Sequence, residues 1–68
     1  MRATGRLGQR LRQRREAAGW TQARLAKAVG VTDAYISMIE RGVKRNPSLL
    51  VLTRIAKRLD TALDELLS

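Results

Sequence analysis

The amino-acid sequence predicts an all-α protein, a compact domain of five short helices. Two observations lead to this fold class. Apolar residues recur three and four positions apart through most of the chain, which places them on one side of a helix. Helix-breaking residues then divide the 68-residue chain into short segments, at Gly19, Gly30, Gly42 and Pro47. No segment has the alternating apolar and polar pattern of a β-strand.

The first helix is predicted from its two leucines, Leu7 and Leu11. We expect it to end near Ala18, with Gly19 in the left-handed conformation that commonly follows a helix. The residues before Leu7 contain no apolar core segment and are rich in arginine. They are therefore assigned to a basic N-terminal arm, residues 1–6, which precedes a single helical domain over residues 7–68.

The second helix is predicted to start after Thr21, a residue type that caps helix N-termini. Its buried side is formed by Leu25, Ala26 and Val29. Trp20 precedes the cap and Leu25 follows it by four residues, which is the spacing of a hydrophobic staple. We prefer this packing role for the only tryptophan to a role in binding a ligand.

Three more helices are predicted after Gly30. Thr32 caps the third, which covers residues 32–41, and the fourth and fifth are expected at about residues 48–59 and 62–67. The side chains expected to be buried are Ile36 and Ile39 on the third helix and Leu49, Leu52, Ile55, Ala56 and Leu59 on the fourth.

The second and third helices have the spacing of a helix-turn-helix. Counting from Gln22, a small residue, Ala26, stands where two steeply crossing helices must touch. Gly30 follows at the turn, where a positive φ is needed. Ile36 comes six residues later and fills the angle between the helices. This triplet, with a capping residue before each helix, predicts a tight helix-turn-helix.

Charge indicates the class of partner. The chain has 14 Lys and Arg against 6 Asp and Glu, a formal net charge of +8. Its field attracts polyanions, with nucleic acid favoured over an anionic membrane surface. The alternative is a solvated basic face that aids solubility. Six arginines precede the first acid, Glu16; they are Arg2, Arg6, Arg10, Arg12, Arg14 and Arg15.

The chain resembles the Cro/repressor family of helix-turn-helix proteins, also called the xenobiotic-response-element family. The similar segments are LGQRLRQRREAAGWTQARLAKAVGV, YISMIERG, NPSLLVLTRIAKRL and DELL, which span residues 7–67. The run YISMIERG followed by RNPSL is similar to restriction–modification controller proteins and small phage-type repressors. The resemblance implies a repressor-like DNA-binding domain whose third helix enters the major groove.

The resemblance assigns base reading to the outward side of the third helix, at Asp33, Ala34, Ser37 and Met38. Related repressors often carry amides at three of these positions, so part of the specificity is expected to come from DNA shape. Asp33 is suited to a cytosine amino group, Ala34 and Met38 to a thymine methyl, and Ser37 to several bases. The alternative role for Asp33 is to complement the N-terminus of its helix.

The same resemblance assigns contacts with phosphates to both flanks of the third helix. Gln22, at the start of the second helix, would grip a phosphate and also brace the recognition helix. The full set of phosphate-contacting candidates is Thr21, Gln22, Arg41, Lys44, Arg45 and Asn46. Arg15 and Glu40 match a partly buried ion pair of the family that joins the first and third helices; the alternative is two unrelated surface charges.

The chain departs from the family pattern at three places. Arg24 stands where the second helix usually has an acid that completes a capping box. Ala62 replaces a serine before the last helix, so Thr61 or Asp60 is expected to cap it. Leu50 and Val51 are apolar where the fourth helix is usually polar. Together with Leu67, they are the candidate dimer interface, because surplus exposed apolar residues indicate a contact surface.

These features predict a sequence-specific, double-stranded-DNA-binding transcription regulator. We expect a homodimer on a pseudo-palindromic operator, cytoplasmic and associated with the nucleoid. The sequence lacks Cys and His, and its few acids are not clustered for a metal site. We therefore expect no enzyme activity, no catalytic residue, no metal, no cofactor and no small-molecule ligand.

Other functions remain open for this fold. An antitoxin or adaptor would use the same domain mainly to grip a protein, although such proteins usually carry an additional partner-wrapping segment. An RNA reader would need exposed aromatic residues for stacking, whereas both aromatic residues are expected inside the fold. A membrane-binding helix would need a stronger apolar side than residues 1–18 offer, and no run approaches the length of a membrane span.

Overall fold

The computed structural model describes residues 3–44 and 46–67, and it contains five α-helices in those ranges. They are α1 (Ala3–Ala17), α2 (Gln22–Val29), α3 (Asp33–Glu40), α4 (Leu49–Arg58) and α5 (Leu63–Leu67). Neither described range contains a β-strand. The predicted all-α fold class with five helices is confirmed.

Helix α1 begins four residues earlier than the apolar pattern predicts. The prediction placed the start at the first leucine, but the helix extends back from Leu7 to Ala3, because a single glycine, Gly5, weakens a helix by about 1 kcal/mol without ending it. Residues 3–6, which we assigned to the arm, are therefore helical. Residues 1–2 lie outside the described ranges, and the division into an arm and a domain stays a prediction.

Three of the helices are capped by hydroxyl side chains; the caps of α2 and α3 were predicted, whereas Ser48 was predicted only as the approximate start of the fourth helix. The Oγ atoms of Thr21, Thr32 and Ser48 accept hydrogen bonds from the backbone N–H three residues later, at 3.1, 3.1 and 3.4 Å. Each bond satisfies one of the N–H groups that a helix start leaves unpaired. The caps therefore fix where α2, α3 and α4 begin.

The core is a single apolar cluster in which α1 packs on α3 and α5, and α2 packs on α3 and α4. Each Leu or Ile that is fully buried contributes roughly 1.5–3 kcal/mol to stability. The buried apolar residues are Leu7, Leu11, Leu25, Ala26, Val29, Ile36, Ile39, Leu52, Ile55, Ala56, Leu59 and Leu66.

Two predictions for α4 are wrong. Leu49, which we expected in the core, is 63% exposed. Helical spacing identifies the buried side, but it does not show how far along that side the neighbouring helices reach. Val51, which we expected to point outward, is half-buried and packs against the core. It lies one turn before Ile55 and therefore at the edge of the buried side.

Helix α5 starts without the predicted cap. Asp60 has a φ of 54°, the left-handed conformation, and it ends α4 instead of capping α5. The Thr61 hydroxyl donates a hydrogen bond to the Glu65 carboxylate at 2.8 Å. An ion pair of 3.1 Å between Arg14 and Glu65 also joins α5 to α1. Leu66 is fully buried in the core, so apolar packing holds this short helix in place, and the exposed contacts of Glu65 add to it.

Gly8 is a buried position that the sequence analysis did not single out. A Cβ atom at Gly8 would lie 2.5 Å from the carbonyl oxygens of Ile39 and Glu40, at the end of α3. Real Cβ atoms essentially never come this close to another atom. The glycine therefore permits α1 to cross the end of α3 at short range.

We expect Gly8→Ala to lower the free energy of unfolding. Overpacking typically costs about 1–3 kcal/mol, and the clashing atoms belong to the backbone, so they cannot rotate away. The better helix propensity of alanine offsets roughly 1 kcal/mol of this. Urea denaturation measures the difference, with Gln9→Ala on the exposed side of α1 as the control. An alanine variant that is more stable than the parent by the full propensity gain of roughly 1 kcal/mol would contradict this close packing.

Candidate nucleic-acid interface

Helices α2 and α3 form a tight pair joined by a short turn. Gly30 has a φ of 84°, and its N–H donates to the carbonyl of Ala26, which also accepts from Val31. Ala26 and Ile36 are buried, as the helix-turn-helix spacing predicts. Because the turn is hydrogen-bonded and both helices are capped, the pair presents α3 in one fixed orientation.

The outward side of α3 carries the four residues predicted to read bases. Asp33 and Ala34 are exposed in the first turn, whereas Ser37 and Met38 are half-buried one turn later. All four belong to one helix surface that other helices leave accessible. Asp33 also fits its alternative role, since an acid in the first turn complements the helix N-terminus.

A buried ion pair joins α1 to the end of α3. The Arg15 Nε donates to Glu40 Oε2 at 2.6 Å and its Nη2 to Oε1 at 3.2 Å, a two-pronged contact. The side chains are only 10% and 4% exposed. The hydrogen bond to Glu40 raises the pKa of Arg15 above its already high ordinary value, against the opposing effect of burial. Arg15 therefore stays charged throughout the physiological range.

The Glu40 carboxylate also connects α3 to α2. The Gln22 Nε2 donates to Glu40 Oε1 at 3.0 Å, and Arg15 Nη1 donates to the carbonyl of Trp20 at 2.7 Å. Three helices thus meet at one carboxylate, and the bracing role that the resemblance implies for Gln22 has a direct geometric basis. The N–H groups of the first turn of α2 point out of the helix beside it, where an anion is favoured.

The loop after α3 is attached to that helix by its backbone and by Tyr35. The carbonyl of Met38 accepts from the N–H groups of Val43 and Lys44, at 2.9 and 3.1 Å. The Tyr35 hydroxyl accepts from the N–H of Ser48 at 3.1 Å, and the Lys44 ammonium lies 5.4 Å from the centre of the tyrosine ring. Tyr35 was expected inside the fold, and the hydrogen bond of its hydroxyl to the loop was not predicted from the sequence.

The loop that follows α3 carries basic and polar side chains. Arg41 caps the end of α3 and is exposed, Lys44 is half-buried against Tyr35, and Asn46 is exposed. Arg45, the fourth candidate of this loop, lies outside the described residues. The described candidates therefore lie along one flank of α3, and Thr21 and Gln22 lie on α2.

Arg24 is a further basic residue at the start of α2. Its guanidinium lies 4.4 Å from the centre of the Trp20 ring, in a cation–π contact. Trp20 itself is half-buried against the core, which fits the predicted staple. The missing acid of the capping box is thus replaced by a cation that covers the tryptophan. Its place beside the helix N-terminus makes Arg24 an additional candidate for phosphate contact.

Metal-binding clusters and membrane-spanning helices are both missing from the described residues. Residues 3–44 and 46–67 contain no group of three or more acidic, His or Cys side chains placed to hold a metal ion. Within the same part of the chain, no helix has the length and apolar character needed to cross a membrane.

Comparison with known proteins identifies the fold of the pair. Residues 11–66 match the helix-turn-helix family. The HTH-type transcriptional regulator SinR of Bacillus subtilis is 38% identical over 61 residues, which cover 90% of this chain and 55% of SinR. The chain spans about half the length of the two SinR proteins it matches, 56% for Bacillus licheniformis and 55% for Bacillus subtilis.

Solved structures agree with this match. A crystal structure of SinR, the master regulator for biofilm formation, in complex with DNA has a TM-score of 0.86 and 37% identity. The match covers 91% of this chain and 98% of that chain. The restriction–modification controller protein C.AhdI of Aeromonas hydrophila has a TM-score of 0.81 and 40% identity, over 88% of this chain and 86% of that chain.

Proposed function

The chain belongs to the helix-turn-helix family, in its Cro/repressor type, and we propose that it is a transcription regulator that binds a specific site in double-stranded DNA. The observation that carries the proposal is the bracing of α3. Arg15 and Gln22 both bind the Glu40 carboxylate, so α1 and α2 hold the helix while its outward side stays accessible. A fixed, accessible helix is what reading of the major groove requires.

In this proposal the two ends of the interface hold the DNA backbone and α3 reads the bases. The first turn of α2, with Thr21 and Gln22, binds one phosphate, and Arg24 adds a positive charge there. Arg41, Lys44, Arg45 and Asn46 clasp the backbone on the other flank. Phosphate contacts position a protein on DNA but carry no sequence information, so discrimination falls to the four outward residues of α3.

We further propose that two copies bind a pseudo-palindromic operator together. Four large apolar side chains are exposed in the described residues, at Val43, Leu49, Leu50 and Leu67, with exposed fractions of 63%, 63%, 59% and 39%. Leu49 and Leu50 lie together at the start of α4. Leu50 belongs to the predicted interface already, and Leu49 replaces Val51 there, because Val51 packs against the core. Leu67 keeps its predicted place.

The remaining expectations follow from a DNA partner. Binding to an operator would place the chain in the cytoplasm, at the nucleoid. The curated relatives are named as transcriptional regulators, which supports the expectation that the chain is not an enzyme. Neither expectation depends on which gene is regulated.

Selection of bound sequences from a random pool of duplex DNA tests the proposed function. A specific regulator enriches one short motif, and a dimer enriches two inverted copies of it about one helical turn apart. A pool that gains no motif after repeated selection would overturn the proposal of sequence-specific binding.

We expect affinity for the selected site to fall steeply as salt rises. Each neutralised phosphate contributes about −0.9 to the slope of log affinity against log salt, so the four cations Arg24, Arg41, Lys44 and Arg45 give a slope of about −3.6 for one subunit and about −7.2 for the dimer. Fluorescence anisotropy with a labelled duplex over a series of salt concentrations measures this slope. Affinity that hardly changes over the series would contradict the phosphate clasp.

Changes on α3 and on the loop should affect binding differently. We expect Ser37→Ala and Met38→Ala to alter the preference among variants of the selected site, since each good interaction with a base edge provides about 1–3 kcal/mol of discrimination. Lys44→Ala, the matched loop variant, should weaken binding to all variants by a similar factor. Competition binding with a panel of single-base variants measures both. If only Lys44→Ala changed the preference among site variants, the assignment of α3 to the major groove would be wrong.

A further inference from the structure

A basic cleft lies between the C-terminal ends of α2 and α4, outside the interface described above. Its volume is about 560 Å³. The lining residues are Lys27, Ala28, Val29, Gly30, Arg54, Lys57 and Arg58. Four of the seven are cations, none is acidic, and all four cations are exposed. None of the four has a role in the proposed reading of DNA.

Local structure explains only part of this arrangement. Cations complement the C-terminal ends of helices, which accounts for Lys27 on α2 and for Lys57 and Arg58 on α4. Arg54 Nη1 also donates a long hydrogen bond, 3.5 Å, to the carbonyl of Val29. These effects explain the position of each cation taken alone. They do not explain why four positive charges surround one space, where they repel one another unless an anion is present.

The cleft is separated from the phosphate position proposed at the start of α2. Helix α2 has eight residues and rises 1.5 Å with each, so its two ends are roughly 12 Å apart. A phosphate bound at Thr21 therefore does not also occupy the cleft. The cleft also lacks an aromatic residue for stacking on bases, so its chemistry favours phosphate groups over nucleobases.

We propose that this cleft binds the phosphate backbone of DNA outside the recognised site, independently of sequence. The inference rests on the proposed function, because DNA is the polyanion which that function brings to the protein. A DNA backbone offers successive phosphates to several cations at once, whereas one free phosphate engages only part of the set. Such a site adds affinity for any DNA without changing which operator is preferred.

The double variant Lys57→Gln/Arg58→Gln tests the cleft. Its matched control is Arg12→Gln/Arg14→Gln, which removes the same charge from exposed positions on α1 that form surface ion pairs. Each protein is measured with a short duplex carrying the selected site and with a long duplex lacking it. We expect the cleft variant to match the control on the short duplex. On the long duplex its salt slope should be shallower than the control's by about 0.9 for each phosphate that it no longer neutralises.

The other outcomes separate this inference from the proposed function. Equal salt slopes for the cleft variant and the control on the long duplex would overturn the inference about the cleft. Binding of the parent protein to the short duplex would still support the proposed function in that case. A weakening specific to the cleft variant on the short duplex would make the cleft part of the operator interface. NMR titrations of the Gly30 amide with inorganic phosphate or polyglutamate complete the test. Saturation by either, without an effect on the long duplex, would assign the cleft to a free anion or an acidic protein.

If the parent protein fails to bind the short duplex but the cleft variant still weakens binding to the long one, the proposed function fails and the cleft inference stands. Circular dichroism confirms that both double variants keep the helical content of the parent.

Discussion

Replacing Glu40 by alanine is expected to lower the free energy of unfolding by about 3–5 kcal/mol, because the buried Arg15 guanidinium loses its hydrogen-bonded carboxylate and keeps only the exposed Glu16, at 3.8 Å, as a counter-charge. The total stability of a 68-residue domain is roughly 3–10 kcal/mol at typical values per residue. If the parent stability lies at the lower end of this range, a large part of the molecules would be unfolded at room temperature. Gln22 loses its acceptor as well, so the side-chain hydrogen bonds that join α1 and α2 to the end of α3 are both lost.

Two comparisons identify burial as the cause of this loss. Glu16→Ala removes an exposed carboxylate that lies 3.3 Å from Arg12 and 3.8 Å from Arg15, and the expected effect is only about 0.2–1 kcal/mol. The double variant Arg15→Met/Glu40→Leu replaces both charges by apolar side chains, and it should recover much of the stability because neither charge is left unpaired. Urea denaturation of all three variants measures these differences. Equal losses for Glu40→Ala and Glu16→Ala would contradict the buried pair.

The pH dependence of this contribution follows from the pKa of Arg15. The hydrogen bond to Glu40 raises that pKa in the folded state. The stabilisation is therefore fully present below the unfolded-state pKa and is lost only as pH rises through the higher folded-state value. Since both values lie far above neutral, titration of Arg15 should not change stability between about pH 6 and 9.

The parts of the fold that were predictable depend on local chemistry. A hydroxyl before a helix and a glycine after it act within a few residues, so Thr21, Gly30 and Thr32 mark their helix ends in the sequence itself. The helix-turn-helix spacing is equally local, since Ala26 and Ile36 are only ten residues apart. These signals fixed α2 and α3, and with them the position of the outward residues of α3.

The parts that could not be predicted depend on which helices meet. Gly8 is a helix-weakening residue by propensity, and its purpose appears only where α1 crosses the carbonyl groups that end α3. Tyr35 was interpreted as a core residue, since nothing in the sequence pairs its hydroxyl with the backbone of Ser48. Leu49 has the spacing of a buried residue, but its exposure depends on where the neighbouring helices stop.

The second large effect is expected from Leu50→Glu, which should abolish dimerisation and weaken binding to a two-half site by about 10²- to 10⁴-fold. One copy of α3 has eight residues and reads only a few base pairs, so each half-site alone is weakly bound. A dimer makes the second contact intramolecular and thereby gains affinity without a new type of contact. Leu50 is 59% exposed beside the equally exposed Leu49, and a charge there opposes burial against a second copy.

Sedimentation equilibrium and DNA binding together test this expectation. Gln13→Glu, on the exposed surface of α1, adds the same charge elsewhere and should stay dimeric with parental affinity. Val51 is unsuitable as a test position, because a charge there would disturb the core that it packs against.

Circular dichroism establishes that Leu50→Glu is folded, and its affinity for a single half-site should equal that of the parent. Joining two Leu50→Glu chains by a flexible linker should restore most of the lost affinity. A Leu50→Glu protein that remains dimeric would move the interface away from α4, and a parent protein that is monomeric both free and on DNA would refute the dimer itself.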